Sequence, residues 1–426
     1  MESDRPPRRQ QPPSGLLAAV TVATAAAMST VLGDDNLLRE ILLRVWLPGS
    51  LLHAALVCKR WLRHAADPAF LRQFRARHSP YPLGAYLSTA RGVTPRPRFL
   101  PIQQLPREFA AAARRAGSFF DALLTSGSSA SIRDSRGSRL LVTTLETNYG
   151  HYDSTHQVCR PLSSAREEED TVVVVVPPPT PPLPRMVTNP EVEDSIVYYY
   201  HEFLPDYSGD GRSASYSCVL MGYSNRQTTV HLYELQDWFW VLRASAAAQL
   251  RVSPPRSKVV LVDKNMFYML STINKILVCD FHSSSISAME LPDGVEEGHT
   301  GRIMLSRGEG SGIYLIHVEE SHLRVFRSDN MGSCWTLENH ISLQELRTTL
   351  GIADRPAVEG NGAGVKIHAV GDNARFVFLE ILGAVVFLDI TSKQANKIYE
   401  MTPEDKELVG VHPLTLKCPH VFLRSA

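Results

Sequence analysis

Residues 32–61, LGDDNLLREILLRVWLPGSLLHAALVCKRW, and residues 67–74, DPAFLRQF, carry short apolar stripes at helical spacing. Asp34 and Asp35 are suited to capping the first predicted helix, Ser50 the second, and Asp67 with Pro68 the last. Such a unit of about 45 residues is too small to bury every helix well, so we expect it to dock onto a partner. The apolar positions along the four predicted helices are Leu37, Leu38, Ile41, Leu42, Val45, Leu51, Leu52, Ala55, Leu56, Val57, Cys58, Trp61, Leu62, Ala65, Phe70, Leu71 and Phe74.

This stretch resembles an F-box domain over nearly its full length, with boundaries at residues 32–78. The resemblance is carried by VCKRW at residues 57–61 and by the helical run at residues 34–44, in the family's order and spacing. The chain departs from the family at two places. Leu32-Gly33 stands where a Leu-Pro pair is usual, and Trp46 lengthens the turn before Leu47-Pro48.

The resemblance implies that residues 32–78 bind a Skp-type adaptor, and through it the cullin of an SCF ubiquitin ligase. For Ile41, Leu42 and Trp61, a role in the core of the unit itself is the alternative. Gly33 keeps a second reading open, in which a degenerate F-box has lost the adaptor and the chain is a non-ligase interaction scaffold. The adaptor-facing residues that the resemblance implies are Leu32, Leu37, Ile41, Leu47, Pro48, Leu51, Val57, Cys58 and Trp61.

Residues 1–31 are expected to be a disordered leader. The apolar residues 15–33 follow Arg5, Arg8 and Arg9, as in a signal peptide or a marginal membrane span. They are rich in Ala and Thr and only weakly hydrophobic, and Met28 is a plausible alternative start.

Charge is unevenly distributed along a chain whose net charge is +0. Residues 1–120 hold 17 basic and only 7 acidic side chains, which suits an acidic protein partner. No zinc spacing, aromatic RNA-binding motif or recognition helix favours nucleic acid, and we expect no membrane partner. The 6 cysteines are scattered singly, which favours reduced, buried thiols in a cytoplasmic or nuclear protein without a metal.

Residues 79–136 are interpreted as a linker with one short helix near residues 106–125. From residue 137 to residue 426 the pattern is β-rich, with runs of Val, Ile, Tyr and Phe between polar turns. The expected fold class is therefore multidomain, with a small α unit followed by an all-β domain. The predicted strands lie at 138–145, 195–203, 216–223, 228–235, 258–271, 275–281, 312–320, 322–328, 375–382 and 384–390.

Several of these strands fall into a repeated four-strand unit. Asp280 and Asp389 occupy the same place in two copies, and Phe326 lies near it in a third. This spacing is typical of a β-propeller, and we expect six blades. The pattern resembles the propeller-like associated domain of plant (grass-type) F-box proteins. The resemblance implies that this domain recruits a protein substrate for ubiquitination.

Residues 165–190 form a low-complexity insert, REEEDTVVVVVPPPTPPLP and its flanks. Its valine run is compatible with one edge strand. The polyproline part is expected to be an exposed loop between blades, with an SH3-type ligand as the alternative.

Catalytic chemistry finds no support in the sequence, and we expect a non-catalytic protein without a cofactor. The glycine-rich segments near residues 308–312 and 360–364 lack the helix and Lys-Ser/Thr of a phosphate loop. A propeller enzyme such as a glycosidase would need carboxylates that converge in the channel. The aromatic triplet at residues 238–240 is a possible substrate face through Trp238 and Trp240, and packing between blades is its alternative.

Overall fold

In this computed structural model the chain divides into two compact units, Met1–Ser79 with Lys417–Ala426, and Pro80–Leu416. Residues 1–29 of the predicted leader, Trp46 and most of the low-complexity insert lie outside the described residues, whereas residues 30 and 31 are helical, contrary to the expectation of disorder. The residues that the structure describes are 30–45, 48–78, 80–90, 96–102, 105–124, 128–148, 151–162, 172–176, 197–203, 217–223, 227–236, 239–250, 259–262, 265–271, 275–296, 301–308, 312–319, 321–328, 334–352 and 364–416.

The first unit is helical. Residues 30–33 are helical, and the helices that follow are α1 (Asp35–Arg44), α2 (Pro48–Ala55), α3 (Lys59–Ala66) and α4 (Pro68–Arg77). They enclose a core whose fully or nearly fully buried members are Leu38, Leu42, Leu43, Leu51, Ala55, Ala65, Phe70, Leu71 and Phe74.

Side-chain caps define where these helices begin. The Asp34 carboxylate accepts hydrogen bonds from the backbone N–H groups of Asn36 and Leu37, as predicted. Asp67 caps α4 in the same way, with Pro68 at the first helical position. The prediction that Ser50 caps the second helix is wrong, because α2 already begins at Pro48, whose fixed φ suits a first helical turn.

The second unit is built from six antiparallel sheets of described strands. Sheet 1 holds β1 (Tyr81–Thr89), β2 (Arg98–Pro101) and β23 (Leu408–Leu416), with β1 in the middle. Sheets 2 to 6 each contain four strands that pair in sequence order.

The strands of these sheets are as follows. Sheet 2 contains β3 (Ser129–Arg136), β4 (Arg139–Asn148), β5 (His151–Cys159) and β6 (Val172–Val176). Sheet 3 contains β7 (Val197–Phe203), β8 (Ser217–Tyr223), β9 (Thr228–Gln236) and β10 (Phe239–Ala248). Sheet 4 contains β11 (Val260–Leu261), β12 (Met266–Ser271), β13 (Lys275–Asp280) and β14 (Ser285–Glu290). Sheet 5 contains β15 (Ile303–Arg307), β16 (Ile313–Val318), β17 (His322–Ser328) and β18 (Thr336–Ser342). Sheet 6 contains β19 (Val365–Val370), β20 (Phe376–Ile381), β21 (Ala384–Asp389) and β22 (Ala395–Glu400).

The six sheets follow one another around a ring. Strand β23 contacts β3 on one side and β19 on the other, so sheet 1 lies between sheets 6 and 2. Apolar clusters fill the spaces between neighbouring sheets, as between sheets 3 and 4, 4 and 5, 5 and 6, and 6 and 1. This arrangement is a β-propeller-like domain, as the repeat predicted.

Both ends of the second unit meet in sheet 1. Strand β1 pairs with β23 from Tyr81 opposite Leu416 to Thr89 opposite Leu408. The interpretation of residues 79–136 as a linker is therefore corrected. Short strands beside prolines read as a linker, and their partner lies at the far end of the chain, where local pattern cannot reveal it.

Gly84 lets β2 lie close to β1. A Cβ at this position would lie 2.2 Å from the carbonyl oxygen of Leu100 and 2.8 Å from Pro101 Cα, so only glycine fits. The predicted short helix is present as α5 (Ala110–Leu123), and Tyr86 fastens it by donating a hydrogen bond to the Ala116 carbonyl at 2.8 Å.

The buried carboxylate of Asp405 accepts hydrogen bonds at the place where the ring of sheets closes. Asp405 accepts hydrogen bonds from Thr89 Oγ1 at 2.9 Å, from Tyr399 O–H at 2.5 Å, and from the backbone N–H and hydroxyl of Thr402, both at 2.9 Å. It thereby connects β1 to β22 and to the turn that leads into β23.

The predicted repeat is confirmed at residue level. Asp280 and Asp389 each end the third strand of a sheet, and each accepts backbone hydrogen bonds from the following turn. In sheet 5 the matching register position is Ser328, two residues beyond Phe326. The valine run of the insert is an edge strand, β6, paired with β5.

The predicted strands are present as β4, β7, β8, β9, β12, β13, β16, β17, β20 and β21. The second unit also contains helix α6 (Leu343–Thr349), which Ser342 caps.

Candidate functional site

The helical unit exposes an unusual number of large apolar side chains. We call Val31, Leu32, Leu37, Ile41, Leu52, Leu56 and Val57 together the apolar surface. Exposed contiguous apolar area on a small unit marks a binding site, whereas single exposed apolar residues are ordinary. Because seven exposed apolar residues fall within residues 31–57, this part of the chain is the candidate site.

Helix periodicity explains why these residues are exposed. Leu37 and Ile41 lie one turn apart on α1, and Leu38 and Leu42 lie one turn apart on its buried side. Helix α1 therefore carries two apolar stripes, and the core of its own unit covers only one of them.

Of the nine residues predicted to bind the adaptor, five are exposed. These are Leu32, Leu37, Ile41, Val57 and Cys58.

The other four predicted residues do not join this surface in the described structure. Leu51 is fully buried in the helical core, and Trp61 is partly buried and packs against that core. Leu47 and the side chain of Pro48 lie outside what the structure describes. Leu51 and Leu42 are therefore core residues of the helical unit, whereas Ile41 belongs to the apolar surface.

Sequence reasoning missed three members of the apolar surface, Val31, Leu52 and Leu56. A signal was present, since Leu52 and Leu56 are spaced like Leu37 and Ile41, one helical turn apart. Leu51 and Leu52 are adjacent apolar residues, and nothing in the sequence tells which of them faces the core.

An ion-pair cluster lies beside the apolar surface. Arg60 on α3 donates to the carbonyls of Leu32 at 2.5 Å and Gly33 at 2.7 Å, and to the Asp35 carboxylate at 2.7 Å. His64 Nε2 lies 3.0 Å from the same carboxylate. Hydrogen bonds from Arg60 and His64 lower the pKa of Asp35.

A second ion pair ties α1 to α4. Arg39 donates to the Asp67 carboxylate at 2.8 Å, and its guanidinium lies 5.5 Å from the centre of the Phe70 ring. The hydrogen bond from Arg39 and those from the helix N–H groups lower the pKa of Asp67.

The aromatic triplet in the propeller-like unit divides as strand alternation requires. Trp240 is partly buried and packs with Leu235 against Leu141 and Val158 of sheet 2. It therefore contributes to packing between sheets 2 and 3. Phe239 is 74% exposed, and Trp238 lies outside the described residues. Trp240 thus fits the alternative of packing between sheets, its part in a substrate face stays a prediction, and Phe239 is the exposed aromatic of β10.

Titratable side chains within the sheets form hydrogen bonds or ion pairs with neighbouring residues. His317 is buried and accepts a hydrogen bond from Arg324, which also pairs with Glu319. His368 lies 2.9 Å from Glu380 in a largely buried pair. Within the described part of the chain, no group of three or more His, Cys, Asp or Glu side chains is placed to hold a metal ion.

The cysteines only partly follow the expectation of burial. Cys159, Cys218 and Cys279 are buried, and burial raises the pKa of the Cys159 thiol to about 12. Cys58 and Cys334 are exposed, and Cys418 lies outside the described residues. Among the described helices, none combines the length and the apolar character needed to cross a membrane.

Comparison with known proteins found no match among curated proteins. A solved structure described as that of a functionally unknown protein from Desulfotomaculum acetoxidans DSM 771 is similar over 67% of this chain and 76% of that chain. Its sequence is 15% identical and its TM-score is 0.33, a likeness too weak to carry an argument.

A family model matches much of the propeller-like unit. The model described as "F-box protein AT5G49610-like, beta-propeller" matches residues 131–422, which is more than half of the chain. The match includes most of sheets 2 to 6 together with strand β23. The chain therefore belongs to the F-box protein AT5G49610-like, beta-propeller family.

Proposed function

We propose that the chain is a substrate-recognition adaptor of an SCF (cullin–RING) ubiquitin ligase, with residues 32–78 as an F-box that binds a Skp-type adaptor. The apolar surface is the observation that carries this proposal. One apolar stripe of α1 is buried in the core of the helical unit, and the other is exposed. The exposed stripe suits packing of this helix against a partner protein. Membership of an F-box protein family supports the same function.

The propeller-like unit is proposed to recruit the protein substrate. Ring-shaped β folds present loops and strand edges to partners, and Phe239 is an exposed aromatic side chain on such an edge strand. Ubiquitin transfer then belongs to other subunits, and this chain acts by proximity and orientation as a non-catalytic subunit.

One observation keeps the scaffold alternative in view. Gly33 replaces the proline that usually stiffens the start of an F-box, and a chain that had lost the adaptor would retain only its propeller as an interaction module. The two functions differ in one measurable property, which is adaptor binding by the wild-type chain.

The test compares two valines with nearly equal exposure. Val57 belongs to the apolar surface and is 64% exposed, and Val409 on β23 is 63% exposed. We expect Val57→Asp to abolish or strongly weaken capture of the full chain by a purified Skp-type adaptor. A charge in a desolvated apolar interface costs several kcal/mol.

Val409→Asp is the matched control and is expected to bind like the wild type. Loss of capture in both variants, with unchanged unfolding temperatures, would contradict an interface centred on the apolar surface. A wild-type chain that does not bind the adaptor would leave the scaffold function in its place.

A further inference from the structure

We infer that Arg60 is a positioning residue for adaptor binding, because it holds the segment that carries Val31 and Leu32 in place. The inference rests on the proposed function and names the side chain on which the proposed interface depends. Arg60 does this by binding two consecutive carbonyl groups of that segment, those of Leu32 and Gly33.

The segment is a helical turn at residues 30–33, in which the backbone N–H of Asp34 donates to the carbonyls of Thr30 and Val31. These bonds are local and do not connect the turn to another helix. Val31 and Leu32 are 38% and 36% exposed, so packing covers these side chains only in part. A Cβ placed on Gly33 would meet no atom within 4 Å, so the space beside its Cα is open. Glycine also has the greatest backbone freedom, which makes an ordered geometry entropically costly here.

The contacts of Arg60 add a constraint that reaches the segment from another helix. Its Nη1 donates to the Leu32 carbonyl at 2.5 Å and its Nη2 to the Gly33 carbonyl at 2.7 Å. Arg60 belongs to α3, which lies in sequence beyond the whole of α2. These bonds therefore tie the segment before α1 to a different helix, where an intact proline would have stiffened it locally.

The guanidinium is itself held in orientation. Asp35 accepts from Arg60 Nε at 2.7 Å and lies 2.6 Å from Nη2, and His64 lies 3.0 Å from the same carboxylate oxygen. A planar fork with several donors can serve two carbonyls and a carboxylate at once, whereas a lysine ammonium is a single point charge. Arg60→Lys is therefore expected to replace the arginine poorly.

The affinity test uses Arg60→Gln, Arg60→Lys and the control Arg63→Gln in the full chain. Arg63 is an exposed arginine on the same helix. With a purified Skp-type adaptor, we expect both Arg60 variants to bind about tenfold more weakly than the wild type, which is the effect of losing one or two charge-assisted hydrogen bonds. Arg63→Gln should bind like the wild type.

A rescue separates positioning from direct contact with the adaptor. Alanine fits in the open space at Gly33 and restricts the backbone, so Gly33→Ala should restore part of the affinity that Arg60→Gln loses. Weak binding that Gly33→Ala does not improve would indicate that Arg60 contacts the adaptor directly, and would overturn the positioning role.

Amide hydrogen exchange in the adaptor-free chain tests the same idea without a partner. We expect Arg60→Gln, but not Arg63→Gln, to speed exchange at residues 32–37, with the unfolding temperature nearly unchanged. Unchanged exchange, or equal affinity of the Arg60 and Arg63 variants while Val57→Asp loses binding, would overturn the inference and leave the proposed function standing. A wild type that binds no adaptor would instead end the proposed function, and the adaptor-positioning role with it.

Discussion

His317 shows how a single buried side chain makes the stability of the propeller-like unit depend on pH. Burial, together with the nearby Arg324 and Arg302 cations, lowers the pKa of His317 to about 4, and the Glu319 carboxylate partly opposes this shift. Arg324 donates to His317 Nδ1 at 3.0 Å, an arrangement that requires a neutral imidazole.

The sign of the effect follows from the two pKa values. An unfolded histidine titrates near 6.5, so between about pH 6.5 and pH 4 the unfolded chain binds the extra proton. The contribution of His317 is therefore fully present above about pH 6.5 and is lost as the pH falls through its folded pKa.

We expect His317→Asn to flatten this dependence. Between about pH 7 and pH 5 the free energy of unfolding of the wild type should fall by roughly 2 kcal/mol more than that of the variant. Denaturant unfolding at a series of pH values measures both curves. Parallel curves would contradict a buried neutral His317.

The aromatic triplet at residues 238–240 shows what the sequence cannot predict about single side chains. Strand alternation predicted that the aromatic triplet would divide between two faces, and the structure places Trp240 between sheets and leaves Phe239 exposed. Which face is covered depends on sheet 2, whose residues are distant in sequence. Alternation alone therefore cannot choose between the two outcomes.

At the scale of elements, helix α2 offers a sharp contrast between neighbours. Leu51 is 0% exposed in the helical core, and Leu52 is 39% exposed in the apolar surface. Leu51→Ala removes buried volume and should lower the free energy of unfolding of the helical unit by about 2–5 kcal/mol.

Leu52→Ala should leave stability nearly unchanged and weaken adaptor binding instead. Thermal unfolding and adaptor affinity, measured on both variants, separate the two roles. An equal loss of stability in the two variants would contradict the assignment of Leu52 to the surface.

Elements with strong local patterns could be predicted, and elements defined by distant partners could not. Strands such as β13 and β21 stand out as runs of Val, Ile and Leu, each ended by an aspartate that caps the next turn. Strands β1 and β2 lie among prolines, which indicate a linker, and β23, the partner of β1, lies near the far end of the sequence, where no local pattern points to it. The start of α2 was misplaced because a capping serine follows a proline that already suits the first turn.

At the scale of the whole molecule, two kinds of contact close the ring of sheets. Strand β1 pairs with β23, and the Asp405 carboxylate accepts hydrogen bonds from β1 and β22. The hydrogen bond from Tyr399, followed by those from Thr402 and Thr89, lowers the pKa of Asp405 below its ordinary range. Because the folded pKa is depressed, the stabilisation is present above about pH 4 and is lost as the pH falls through the folded value.

We expect Asp405→Ala to lower the free energy of unfolding of the propeller-like unit by about 2–3 kcal/mol, since it leaves several donors near β1 and β22 without their charged acceptor. Asp280→Ala is the control. Asp280 also accepts hydrogen bonds from a turn, but it acts within a single sheet and should cost about 1 kcal/mol or less. Equal losses of unfolding free energy in a denaturant titration would show that Asp405 stabilises the closed ring no more than Asp280 stabilises its own turn.

The account of the whole chain depends on adaptor binding by the apolar surface. Isothermal titration calorimetry of the full chain with a purified Skp-type adaptor, at several temperatures, measures this binding directly. We predict one-to-one binding with a negative heat-capacity change, since the interface buries apolar side chains, and loss of that signal in Val57→Asp but not in Val409→Asp. No binding by the wild-type chain, or binding that Val57→Asp leaves intact, would contradict it.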